Sequence, residues 1–351
     1  MEVSYVSTRA LNEGNRLSVL KLQQQLVVAQ KELSSRRHAD VGATLGARTT
    51  QTISLRQEVS RLEITIDTNA SVQGRVSVSQ EALEGLSDTA QQFVSTLLGA
   101  RNSATGPSVA ANAGRANLVA FTATMNTTFA GQHIFAGENV EVQPLNDYFA
   151  TPTPANRQAV NDAFQSFFGF AQDDPQVANI TAPQLQNFLD TSFEALFEEP
   201  SWSANWSNAS DNNLQSRISN LETVETSTNA NEDGFRKLAM AFTMMADLGV
   251  PNMNRETFQV VADAAIKVAG EAVQDVAVEQ ARLGTSEARI ATVNTKMSAQ
   301  IDVLTGQVNN LEAVDEFEAA VRVTSLMTQL EVSYSLTARV QQLTILNYLA
   351  A

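Results

Sequence analysis

Residues 284–349 read GTSEARIATVNTKMSAQIDVLTGQVNNLEAVDEFEAAVRVTSLMTQLEVSYSLTARVQQLTILNYL. After Gly284 the stretch holds no proline and a single glycine, Gly306. Apolar residues recur three or four apart through Ile290, Val293, Met297, Ile301, Leu304, Val308 and Leu311, the spacing of one face of an α-helix. The pattern resumes after Asp315 with Phe317, Val321, Leu326, Leu330, Val340, Leu343 and Leu346. A continuous helix of this length would run roughly 90 to 100 Å, longer than a compact domain of this mass is wide. Its apolar stripe cannot be buried against itself. It needs a partner helix, from the same chain or from a neighbouring molecule.

The first half of the chain offers candidates. Between Leu17 and Ser35, Val19, Leu22, Leu26, Ala29 and Leu33 follow a heptad-like spacing. Arg36 to Gly42, with Gly46 close behind, breaks this helix into a turn. A longer helical pattern occupies residues 49–99 through Leu55, Leu62, Val76, Leu83, Phe93 and Leu97. Asn69, Gln73 and Gln80 fall on or near its seam, where a polar group either sets register or marks the edge that turns to water. Residues 100–114, with Gly106-Pro107, read as a loop before a third helix from Arg115 to Thr128.

All eight prolines lie between Pro107 and Pro251, and most aromatics between Phe121 and Phe258. Two glycines, Gly131 and Gly137, bracket a short extended run. Helices are expected around 155–170 and 182–197, a strand or hairpin around 214–228, and helices again at 233–248 and 258–283, with Asn254 as an N-cap. The expected organisation is mainly α: an elongated helical bundle or coiled coil formed by both chain termini, with a compact mixed α/β insertion in the middle. Its boundaries are 1–138 and 233–351 for the paired helical segments and 139–232 for the insertion. The seams at Val19 to Leu33 and Leu326 to Leu346 are natural mates.

The chain has 351 residues, 43% of them hydrophobic, enough for a sizeable core. A net charge of −15 argues against nucleic-acid binding or attachment to an anionic membrane. No apolar run is long enough to span a bilayer, and no signal-peptide pattern opens the chain. With no cysteine and two distant histidines, His38 and His133, a zinc site is not expected. No phosphate-binding loop, dinucleotide fingerprint, nucleophile elbow or metalloprotease motif is present. The pairs Asp173-Asp174, Glu198-Glu199 and Asp315-Glu316 read as solvated charge rather than acid–base machinery. Trp202 and Trp206, four apart, either close a small core or stack on a sugar; the core reading is the stronger. Neither catalytic residue, cofactor nor metal is expected.

Three blocks carry a resemblance. GQHIFAGENVEVQPL, Gly131 to Leu145, resembles a segment of the hook-filament junction proteins of the flagellin superfamily, with Gly131, Ile134, Phe135, Ala136, Gly137, Pro144 and Leu145 on the pattern. His133 stands where an aromatic is usual and Leu145 where Phe is common. LEVSYSLTARVQQLTILNYL, Leu330 to Leu349, is similar to the family's terminal helix. SSRRHADVGATLG, Ser34 to Gly46, is similar to its N-terminal helix end, with Arg36 in place of a common Gly.

This resemblance implies a rod-like structural subunit whose ends pair in the tube wall while the insertion faces outward. It implies a secreted flagellar protein, exported without a cleaved signal peptide, acting as the adaptor between hook and filament. The alternatives are a flagellin of the filament itself, or a surface-displayed ligand-binding homologue. The implied partners are copies of the same chain, neighbouring hook-associated and flagellin subunits, and an export chaperone on the C-terminal helix; neither nucleic acid nor membrane insertion is implied. Assembly would then couple folding to burial of the terminal stripes. The expected interface positions are Leu22, Leu26, Leu33, Leu326, Leu330, Leu343 and Leu346.

Overall fold

The computed structural model describes residues 8–349, with side chains over 13–339. In chain order its elements are α1 (Thr8–Ser35), α2 (Val41–Leu45), α3 (Thr49–Ala100), α4 (Gly106–Met125), β1 (Thr128–Phe129), β2 (Gln132–His133), α5 (Ala155–Phe168), α6 (Ala182–Phe188), α7 (Ser201–Asn205), β3 (Gln215–Arg217), β4 (Thr223–Glu225), α8 (Asp233–Asp247), α9 (Arg255–Glu312) and α10 (Glu316–Leu349). Each strand pair is an antiparallel hairpin, β1 with β2 and β3 with β4. The chain divides into two compact units, residues 65–296 and residues 1–64 with 297–351.

Mainly helical architecture with paired termini and a small mixed central region is what the periodicities imply. Two boundaries differ from expectation. Helix α4 starts at Gly106, inside the expected loop, because Pro107 occupies the first turn, where its missing N–H costs nothing. Helix α9 runs unbroken through Gly284, and the interruption lies at 313–315, where the apolar pattern pauses before resuming at Phe317; Asp315 accepts hydrogen bonds from the Phe317 and Glu318 amides and opens α10.

In the 65–296 unit the core joins the apolar faces of α3, α4, α8 and α9 to the aromatics of the insertion. Helices α4 and α8 approach so closely at Gly114 that a Cβ there would lie 2.5 Å from Met245 Cβ and 2.9 Å from the Phe242 carbonyl. Phe242 packs edge-on against Phe93 and Phe121. Asn69 is buried on the seam: its Nδ2 donates to Asn294 Oδ1 at 2.7 Å and to the Ile218 carbonyl at 2.9 Å, fixing α3 against α9 and against the β3–β4 turn. Gln80 Nε2 donates to the Gln280 carbonyl, 2.8 Å. These two polar seam residues bridge helices, whereas a polar edge facing water would not.

The terminal unit pairs α1 with α10. Contacts from Gln23 to Tyr334, Glu32 to Arg322 and Arg36 to Glu316 make the pair antiparallel. The start of α3 and the end of α9 complete the unit.

Candidate assembly surface

The α1–α10 seam is built from the sequence's heptad spacing. Ala29 of α1 and Ala319, Leu326 and Leu330 of α10 are buried, while Leu22, Leu26 and Leu33 are half-buried on the same α1 face. Five of the seven expected interface leucines therefore meet within one chain. The side chains of Leu343 and Leu346 lie outside the described residues.

A polar knot ties this pair to its own unit. The chain leaves α1 at Arg36, whose φ of 56° is left-handed, and α9 ends at Glu312; the two breaks lie side by side. Arg37 and Ala313 form an antiparallel bridge, with the His38 amide donating to the Glu312 carbonyl at 3.0 Å and the Val314 amide to that of Arg36 at 3.1 Å. The Glu312 side chain is only 1% exposed. Arg56 of α3 grips its carboxylate through both Nε, at 2.9 Å, and Nη2, and Arg37 Nη1 lies 3.7 Å away. The hydrogen bonds to Glu312 hold the Arg56 guanidinium above its ordinary pKa. A second buried carboxylate, Glu32, accepts from Arg322 at 3.0 Å and from the Ala39 amide at 3.2 Å. Charge-assisted bonds of this kind offset desolvation only when the geometry is complete. Sequence periodicity missed the knot because its members sit at helix breaks; the only signal was the Arg36-Arg37-His38 run facing Glu312 to Glu316.

The faces turned away from the seam are apolar and open. On α1 they carry Leu17, Leu20, Val27 and Val28, and on α10 Phe317, Val321 and Val332. Phe317 is 84% exposed, far beyond what a buried-core aromatic shows. Such faces are suited to burial against other molecules.

The two tryptophans considered for a sugar present no such surface, while Glu198 and Glu199 line an open pocket of about 490 Å³ with Arg236 and Lys237. Trp202 and Trp206 are fully buried, stacked with centroids 5.4 Å apart, and Tyr148 stacks on Trp206 at 5.3 Å. Their faces are closed to a sugar. Tyr148 donates to Asp247, 2.9 Å, and burial together with that carboxylate pushes its phenol pKa well up. Asp174 caps a short 3₁₀ turn, and His133 Nδ1 lies 3.0 Å from the Asn126 carbonyl. Among the described residues no helix is long and apolar enough to cross a membrane, and no group of three or more His, Cys, Asp or Glu is placed to hold a metal.

The segment Gly131 to Leu145 is set into this core: Ile134, Phe135, Ala136 and Leu145 are buried, and Phe135 packs edge-on against Phe235. Gly137 turns with φ 60°, and a Cβ there would lie 2.4 Å from the Ser210 carbonyl, so the pattern's second glycine is required on two counts.

The family model of the bacterial flagellin N-terminal helical region matches residues 6–140, and that of the bacterial flagellin C-terminal helical region matches residues 266–349. A solved structure from Vibrio parahaemolyticus, described as a flagellar hook-associated protein, is similar with a TM-score of 0.52 at 10% identity, covering 76% of this chain and 97% of that one. FlgL of Bacillus cereus is similar with a TM-score of 0.49 at 11% identity, over 73% of this chain and 99% of that one. Comparison with curated proteins gives no match.

Proposed function

Since the chain belongs to the bacterial flagellin family, we propose that it is the structural subunit joining the flagellar hook to the filament. The observation that carries the reading is the Gly131 to Leu145 segment, seated in the core with both glycines in left-handed turns. The fold shared with the Vibrio parahaemolyticus protein, nearly all of whose length is covered, supports it. The role is mechanical: the protein is exported to the flagellum and acts by packing its terminal helices against copies of itself and against hook-associated and filament subunits. An export chaperone covers the C-terminal helix until then. The open apolar faces of α1 and α10 support that part of the reading, since they give both kinds of partner something to cover.

Deleting the gene tests the role. Loss of a junction subunit leaves hooks without filaments and flagellin shed into the medium. The rival reading is a flagellin of the filament, to whose terminal helical regions the two matching family models equally apply. It requires that deletion leave the hook-associated parts in place, with filaments shortened, altered or absent, and that result would sink the junction role.

A further inference from the structure

Residues 65–296 carry twelve Lys and Arg against twenty-six Asp and Glu, and one groove of that unit gathers unpaired carboxylates around an apolar floor. Helix α6 continues through a π turn, Leu189–Phe193, and a 3₁₀ turn, Glu194–Leu196, before the chain reaches α7. This stretch, α8 and α9 line two adjoining depressions of about 490 Å³ and about 380 Å³ that share Glu194, Lys237 and Met240. Their floor is Leu189, Phe197, Met240 and Met244. Helix α9 adds Val260, Ala264 and Val268, a half-buried stripe at four-residue spacing. Methionine side chains adapt to irregular apolar partners, which suits a docking floor.

Seven carboxylates line the two depressions against three cations. Each cation is already engaged: Arg236 by Asp233, Lys237 by Asp275 at 2.6 Å, and Lys267 by Glu271 at 3.9 Å. Glu194 and Glu198, both exposed, have no cationic partner among the described residues. Arg236 reaches Asp233 through Nη2 and leaves its Nε, buried in the wall of the same depression, without an acceptor among the described residues. A buried donor left unpaired is costly. The groove therefore calls for cationic heads on aliphatic stems together with a carbonyl oxygen. A polypeptide offers both, and neither a metal ion nor a polyamine does.

We propose that this groove docks a cationic, amphipathic segment of a partner protein. Lysine or arginine stems of that segment lie along Phe197, Met240 and Met244, their heads meet Glu194 and Glu198, and one of its main-chain carbonyls accepts from Arg236. The run of α9 from Val260 to Glu271, roughly 16 Å at helical rise, matches three turns of a helix laid alongside. The acidic rim selects the partner's charge and orientation, while the apolar floor holds it. The groove belongs to the 65–296 unit, so docking there goes beyond the assembly role and does not depend on it.

The probe is a fluorescein-labelled peptide of about 12 residues, three helical turns, with leucines on one face flanked by lysines. Its anisotropy is followed as the purified full chain is added. Saturable binding is expected, about tenfold weaker in E194K/E198K and about tenfold weaker for a shuffled peptide of the same composition. Both substituted positions are exposed, and an unchanged circular dichroism spectrum verifies that the variant is folded. E81K/E84K changes the net charge equally at exposed positions of α3 outside the groove and should bind as the parent does. Amide exchange should slow on binding at residues 189–198 and 237–244. Absent binding, equal binding of the shuffled peptide, equal weakening in E81K/E84K, displacement by spermine at matching concentration, or protection confined to other segments each overturn the proposal. Self-association of the chain alone that E194K/E198K abolishes makes the occupant a second copy and overturns it too. The gene-deletion phenotype is independent of every one of these outcomes, so the junction role and the docking groove fail separately.

Discussion

Removing the two arginines around Glu312 should be far more damaging than removing Glu312 itself. In Arg37→Ala/Arg56→Ala the Glu312 carboxylate, 1% exposed, loses both of its cationic neighbours. An uncompensated buried charge costs about 3 to 5 kcal/mol. In Glu312→Gln no charge remains buried, and the two guanidinia, each about half exposed, turn to water; the loss is then that of ordinary hydrogen bonds, about 1 kcal/mol. Adding Glu312→Gln to the double arginine variant should recover most of its deficit.

The assay is amide hydrogen exchange at His38 and Val314, whose N–H groups close the bridge between the two helix breaks. A loss of about 3 kcal/mol corresponds to roughly a hundredfold faster opening, and 1 kcal/mol to about fivefold. Amides of α4 in the other unit serve as the internal standard and should not change. Equal acceleration in Glu312→Gln and the double arginine variant, or a triple variant no better than the double, would refute the asymmetry and the burial argument behind it.

Gly114→Ala should lower the melting temperature of the 65–296 unit: overpacking against Met245 and the Phe242 carbonyl costs about 1 to 3 kcal/mol, more than the ~1 kcal/mol of helix propensity regained. Burial, with Glu279 nearby, raises the Glu232 carboxyl above its ordinary pKa despite Arg282. A folded-state pKa above the unfolded one means that stability rises as pH falls through the folded value; denaturant titrations across the acid range should show this gain in the parent and not in Glu232→Gln. Asn69→Ala should cost about 1 to 3 kcal/mol by leaving the Ile218 carbonyl without this donor, read as faster exchange in the β3–β4 turn. Acrylamide should quench the emission of Trp202 and Trp206 weakly, and added sugars should not shift it, because both rings are enclosed.

Much of the fold was legible because long helices repeat their signal: the heptad of Val19 to Leu33 declares one face turned to the seam, whereas the expected stripe of Phe317 to Leu330 splits, with Leu326 and Leu330 in the seam and Phe317 and Val321 outward. Asn254 announced its cap and caps as expected, accepting from the Thr257 amide at 3.0 Å. Local punctuation was less reliable. Gly106-Pro107 signals a helix start as readily as a loop, and only the packing of α4 on α8 chooses between them. Gly284 looked like a boundary, but one glycine within a long packed helix costs only about 1 kcal/mol, and α9 absorbs it. The assembly surface was half legible. Periodicity found the leucines, but the same spacing describes a seam filled by the chain's own helix and one awaiting a neighbour. Only the structure separates Leu326, in contact with its own α1 across the seam, from Phe317, facing outward.

The level placement of the two helix breaks bears on force. Tension or torque applied to α1 cannot pass down α3 alone, because the Arg37–Ala313 bridge and the grip of Arg56 on Glu312 tie that connection to the end of α9 at the same height. Load entering by one strand is divided between two. The chain is then wired in parallel at the place where its helices are interrupted, and the buried carboxylate is the cross-tie.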